Sequence, residues 1–161
     1  MNKLRITELY AAKNLQSLEK KLGHTFKDQP LLIQSVTRKG HVKELKDNNP
    51  DCERPDNERL EFLGDSVLEL IMRKHLYETM PDSEGVLTKK CGDMVKKRSL
   101  TNLAFDFGLD EHIFLASSEE GNLRRKPRIL ADSLEAVIGA VFLETDYCST
   151  TDIVLNRIFH L

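Results

Sequence analysis

The chain has 161 residues, 40% hydrophobic and 31% charged, with a formal net charge of −2. That length suffices for one domain with its own core, and the charge balance excludes a globally basic nucleic-acid coat, so phosphate binding must come from local patches or metal ions. No stretch approaches about 18 uncharged apolar residues, and the opening MNKLRITELYAAKNLQ lacks the apolar core of a signal peptide, which predicts a cytoplasmic protein with no membrane partner. Cys52, Cys91 and Cys148 are odd in number and widely spaced, as expected of reduced thiols. The scattered histidines give no zinc spacing.

Apolar residues recur at helical spacing almost throughout. Residues 3–22 form one predicted helix through Leu4, Leu15, Leu18 and Leu22, closed by Gly23. Asp28 is placed to cap a short helix with Pro30 in its first turn and Leu31, Leu32 and Val36 behind it. Residues 39–55, polar and carrying Pro50, Pro55 and an Asn-Asn pair, predict a long loop. Asp56 or Asn57 then caps a helix running to about Thr79, where Met80-Pro81-Asp82 breaks it. Ser83 opens the next, to about Arg98, and SLTNLAFDF runs to Gly108. Residues 117–128 form a charged connector, ILADSLEAVIGAVFLE is the most apolar helix, and a last one covers roughly 150–160. No alternating pattern exceeds a few residues, so the predicted fold class is all-α, one domain over 1–161.

The stretch NERLEFLGDSVLEL, residues 57–70, sets Glu58, Glu61 and Asp65 three and four positions apart. They share a helical stripe about 60° wide, where like charges repel. Leu60, Leu63, Val67, Leu70 and Ile71 fall on the opposite side, the ordinary core stripe. Gly64 lies within that apolar side at a propensity cost of about 1 kcal/mol, which the close approach of another helix would explain. A solvated acidic face is the plain alternative, but Arg59 points about 100° away from Glu58, and Glu69 returns to the acidic side.

In ILADSLEAVIGAVFL, Asp132 and Glu135 are the only charged groups in a segment that reads as buried on every side. Isolated carboxylates there would cost several kcal/mol or protonate. Two at i,i+3 are better explained by a shared cation, with salt bridges to arginines as the competing explanation. Ala136, Gly139 and Ala140 allow a second helix close, and if that helix bears Gly64, four carboxylates converge. An all-oxygen set suits Mg²⁺ or Mn²⁺ rather than zinc and is the apparatus of metal-assisted phosphodiester cleavage.

ERLEFLGDSVLEL resembles the signature stretch of the ribonuclease III family, and ILADSLEAVIGAVFLE resembles its second acidic block. LEKKLGHTFKDQPLLIQSVT upstream, and a lysine-rich helix followed by SLTNLAFDFGL between the blocks, match as well, so the resemblance spans about residues 17–145. It implies an all-helical endonuclease domain that cuts double-stranded RNA with Mg²⁺ (Mn²⁺ as a substitute). It also implies a homodimer with an acidic centre at each end of a shared valley, leaving 5′-phosphate and 3′-hydroxyl ends. On this resemblance Glu61, Asp65, Asp132 and Glu135 are metal ligands, Asp65 and Glu135 are also catalytic, and Glu58 is a supporting acid. Phe62, about 40° from Glu58 on the acidic side, matches a family residue that inserts into a pocket on the partner subunit, and is the expected dimer contact.

Basic residues cluster at Arg38-Lys39, Lys89-Lys90, Lys96-Lys97-Arg98, and Arg124-Arg125-Lys126 with Arg128. Each could be a solvated face. The last immediately precedes the second acidic block and is the preferred RNA phosphate contact, reading backbone and shape because A-form RNA hides base edges in a deep, narrow groove. Two departures stand out. Thr37-Arg38-Lys39 replaces the family's Thr-His-x-Ser-like segment, and the chain ends at Leu161 without an appended double-stranded-RNA-binding domain, so affinity is expected from the valley, another protein or a further region. Three functions stay open: an active double-stranded ribonuclease, a non-cleaving double-stranded-RNA-binding scaffold of a ribonucleoprotein, and another two-metal phosphohydrolase acting on DNA or nucleotides. Retention of four mutually repelling acids argues against the scaffold.

Overall fold

The computed structural model describes residues 3–121, 123 and 126–161, with side chains from Ile6 onward. The order is α1 (Lys3–Ala12), α2 (Leu15–Leu22), α3 (Gln29–Ser35), α4 (Lys39–Asn48), α5 (Glu58–Thr79), α6 (Glu84–Val95), α7 (Lys97–Asp106), α8 (Pro127–Glu144) and α9 (Tyr147–Asp152). Short 3-10 turns lie at Leu109–Glu111 and Ser117–Glu119, and α9 continues into a π-helical segment, Ile153–Phe159. The fold is all-α. The one extended pairing among the described residues is a single parallel bridge between Thr37 and Phe114. No helix among them is long and apolar enough to cross a membrane.

Helix α8 runs through the centre because it is apolar all round: every residue from Ile129 to Val141 is buried. Across it lies α5, which buries Leu60, Val67, Leu68, Ile71, Met72 and Leu76; α3 and α7 cover other sides, and α2 adds Leu15, Leu18 and Leu22 to the core. Each such side chain contributes roughly 1.5–3 kcal/mol on burial. The α5–α8 crossing is made by two glycines in contact. A Cβ on Gly64 would stand 2.7 Å from the carbonyl carbon of Glu135 and nearer still to its oxygen, and one on Gly139 would run into Leu60 O. The close helix approach expected from Gly64 and Gly139 is therefore present.

Three expectations need correction. Residues 39–55 are not all loop, because α4 occupies Lys39–Asn48. Its support is tertiary: Val42 is buried, the His41 ring packs on Phe114 and its Nδ1 pairs with Leu115 O at 3.1 Å, and Glu44 accepts from Ser117 N at 2.9 Å. The single helix over 3–22 is two, parted at Asn14, whose φ of 46° is left-handed. Leu70, expected in the core stripe, is 55% exposed.

Candidate metal centre

Several links fix the start of α5. The N-cap is Asn57, whose side chain makes no capping bond, while Asp56 Oδ1, one residue earlier, accepts from Glu58 N at 3.1 Å. Asn57 is fully buried; its N donates to Thr37 O at 2.9 Å, and its carbonyl accepts from Glu61 N. The adjoining bridge holds Arg38, whose N donates to Phe114 O at 3.1 Å. With the glycine crossing, these contacts aim the first turns of α5 at the middle of α8.

One carboxylate oxygen each of Glu61, Asp132 and Glu135 lies within 4.8 Å of the others. Asp65 and Glu58 line the same open cleft of about 630 Å³, but neither belongs to that inner trio. The expected convergence from two crossing helices is present, with three acids at its centre and two on the wall. Glu58 pairs with Lys39 Nζ at 2.9 Å. Glu69 takes no part, being engaged by Arg73 at 2.7 Å on the helix surface. Phe62 stands at the rim, 79% exposed.

Asp132 is 2% exposed and faces three cations: Lys97 Nζ is 2.7 Å from Oδ1, while Arg38 Nη1 and Arg128 Nε are each 3.5 Å from Oδ2. The salt-bridge explanation thus applies to Asp132. It does not extend to Glu135, which has no ion pair among the described residues. Burial, and then the Asp65 carboxylate, push Glu135 up to about 7, with Lys97 opposing. Glu61 is also raised, first by burial and then by Asp132, against Lys97, Arg38 and Arg128. Beyond the Lys97 ammonium, Asp132 Oδ1 has no partner among the described residues. Three crowded carboxylates, two of them (Glu61 and Glu135) raised by burial and by neighbouring acids, fit an oxygen-seeking divalent cation. The trio could hold one, and Asp65 stands beside Glu135 to add a further oxygen.

Among the described residues, the bases at the cleft are Arg38, Lys97 and, from the cluster preferred from sequence, Arg128. Arg124 and Arg125 lie outside the described residues. Lys126 donates instead to Ser118 O and Glu120 O, both at 3.2 Å, fastening the connector. Of the described members of that group, Arg128 lines the cleft and Lys126 does not. Arg38 and Lys97 complete the set, coming from the α3–α4 junction and the start of α7. Both belonged to runs visible in the sequence, but no spacing signal set them apart from Lys89 or Lys90, since only packing brings them to Asp132.

A sequence profile described as ribonuclease-III-like matches residues 28–161. The chain belongs to the ribonuclease-III-like family. Relatives of this ribonuclease-III-like chain include Ribonuclease 3 of Campylobacter jejuni (strain RM1221), 40% identical over 148 residues, or 91% of this chain and 62% of the relative. Ribonuclease 3 of Sulfurovum sp. (strain NBC37-1) is 43% identical over 129 residues, or 79% of this chain and 53% of the relative. The chain thus spans a little over half the length of these curated relatives. In structure it is similar to the nuclease domain of ribonuclease III from C. jejuni, with a TM-score of 0.76 at 36% identity, covering 91% of this chain and 94% of that one. A further structure of that nuclease domain, with a TM-score of 0.75 at 37% identity over 88% of this chain and 93% of that one, is described as showing structural flexibility in the region involved in dimer formation.

Proposed function

We propose that residues 1–161 form one endonuclease domain that hydrolyses phosphodiester bonds of double-stranded RNA with Mg²⁺, Mn²⁺ substituting, in RNA processing in the cytoplasm. The convergence of Glu61, Asp132 and Glu135 at the Gly64–Gly139 crossing carries this reading, and the ribonuclease 3 relatives support it. The three cysteines are free, in keeping with a reducing compartment. A divalent ion held by Glu61, Asp132, Glu135 and Asp65 supplies water activation and charge neutralisation on the phosphate.

The chain's own groups do the rest. Asp132 is clamped by its cations, so its carboxylate cannot turn away. Glu135, buried and beside Asp65, holds its proton more tightly than an exposed carboxyl while no ion is bound. Asp65 is exposed at the cleft, within reach of solvent and substrate. Glu58, anchored by Lys39, supports the cleft wall. Arg38, Lys97 and Arg128 present positive charge to phosphate oxygens, the role first assigned to the 124–128 cluster. Phe62, Leu70 and Tyr77 form an exposed stripe along α5. Two α5 helices packed antiparallel on this stripe bring each Phe62 to the partner's pocket, lined by Leu76, Tyr77, Met80 and Leu87, making a homodimer with two acidic centres.

The test is incubation with a long RNA duplex, with Mg²⁺ or with a chelator. Metal-dependent cutting of RNA with 5′-phosphate ends supports the reading, and equal cutting of DNA refutes the RNA preference. Glu135→Gln should keep fold and RNA binding while losing turnover; undiminished cutting refutes its role.

A further inference from the structure

Lys97 Nζ stands at the edge of the acidic trio, against Asp132. It is 2.7 Å from Asp132 Oδ1, and it is the foremost positive charge acting on both Glu61 and Glu135. One ammonium therefore pairs with Asp132 and acts at longer range on the other two members of the trio. Asp132 is nearly inaccessible, whereas the Lys97 side chain is 49% exposed, so the lysine can leave and the carboxylate cannot. The backbone at Lys97 is fixed independently of that ion pair. Thr101 Oγ1, one turn on, lies 2.7 Å from Lys97 O and 2.8 Å from Pro127 O, tying the start of α7 to the start of α8. The other two cations differ in kind. Arg38 is mostly buried and lies between Asp132 and Glu119, while the Arg128 side chain is 79% exposed and reaches Asp132 only at 3.5 Å.

We infer that Lys97 is a tethered, displaceable counter-ion of the acidic centre: it pairs with Asp132 while no metal is bound, and divalent ions load by displacing it. Without metal, the crowded carboxylates repel, and the ammonium beside Asp132 offsets part of that repulsion. With metal, the ammonium and the ion compete for one carboxylate oxygen in a low-dielectric site, where like charges at this range exclude one another. Lys97 thus eases the repulsion among the ligands at the expense of metal affinity, setting a threshold ion concentration for loading. This rests on the metal-site reading above but concerns a residue outside the ligand set.

The test is Mn²⁺ titration of the metal-free full chain by calorimetry, for wild type, Lys97→Met and Lys97→Arg. Lys97→Met should bind Mn²⁺ about tenfold more tightly, within the usual range for a coupling between two bound groups, and Lys97→Arg should stay near wild type. Unchanged or weaker Mn²⁺ binding by Lys97→Met, with helicity intact by circular dichroism, overturns the inference while leaving the metal site standing. Absence of Mn²⁺ binding by wild type overturns the metal site itself. A second measurement needs no variant: acetylation of Lys97 by an amine-reactive reagent, followed by mass spectrometry, should speed up when Mg²⁺ is added to wild type. An unchanged rate refutes displacement.

Discussion

Gly64→Ala probes the contact on which the centre depends. The added methyl would stand 2.7 Å from the carbonyl carbon of Glu135 and 2.8 Å from Gly139 N, where ordinary contact begins at 3.4 Å, and it meets Glu135 O closer still. All three are backbone atoms, so no side chain can swing aside, and α5 and α8 must part by roughly 1 Å. Overpacking of this kind costs about 1–3 kcal/mol, and the upper end applies because the obstacle is backbone. Alanine returns up to about 1 kcal/mol of helix propensity, leaving a net loss of about 1–2 kcal/mol and a midpoint several degrees lower. Metal binding should fall further than stability, because the shift separates Glu61 on one helix from Glu135 on the other. Urea unfolding with and without Mn²⁺, alongside Mn²⁺ calorimetry, reads both effects. Gly92→Ala is the control: nothing lies within 4 Å of that position in α6, so it should stabilise by about 0.5–1 kcal/mol. If Gly64→Ala matches wild type in stability and Mn²⁺ affinity, the two helices are not held together there.

The metal-free protein should show a pH signature of Glu135. With its carboxyl raised from 4.5 to about 7, folding favours the protonated form, so its stabilising contribution is complete below 4.5 and lost as pH rises through 7, amounting to about 3 kcal/mol. Glu61, Asp65 and Asp132 oppose its ionisation and Lys97 favours it; His41 and His112, lowered first by burial, give the opposite slope. The difference between wild type and Glu135→Gln in chelator, followed from pH 4 to 8 by urea midpoints, isolates the effect; a difference that does not change with pH refutes it. Phe62→Ala should abolish dimerisation in sedimentation experiments while barely altering monomer stability, since the ring is exposed in the single chain. A dimer of unchanged affinity would remove Phe62 from the interface.

The sequence by itself determined the helices that carry the chemistry and which of their residues are acidic. In α5 and α8 the apolar period, the Asp56 bond to Glu58 N and the two glycines are local features, and local periodicity survives any tertiary arrangement. Asp132 and Glu135 were conspicuous because charge in an all-apolar helix has no bland solvent-facing explanation. What local pattern could not contain was support from elsewhere in the chain. Helix α4 is polar apart from Val42 and Leu45 and owes its place to residues 114–117, far away in sequence. Leu70 falls in an apolar stripe but is left at the surface. The cations around Asp132 come from three separate elements, and a side chain's distance from a charge on another helix is set by how the helices pack. Tertiary structure therefore decided which acids meet closely and which bases face them.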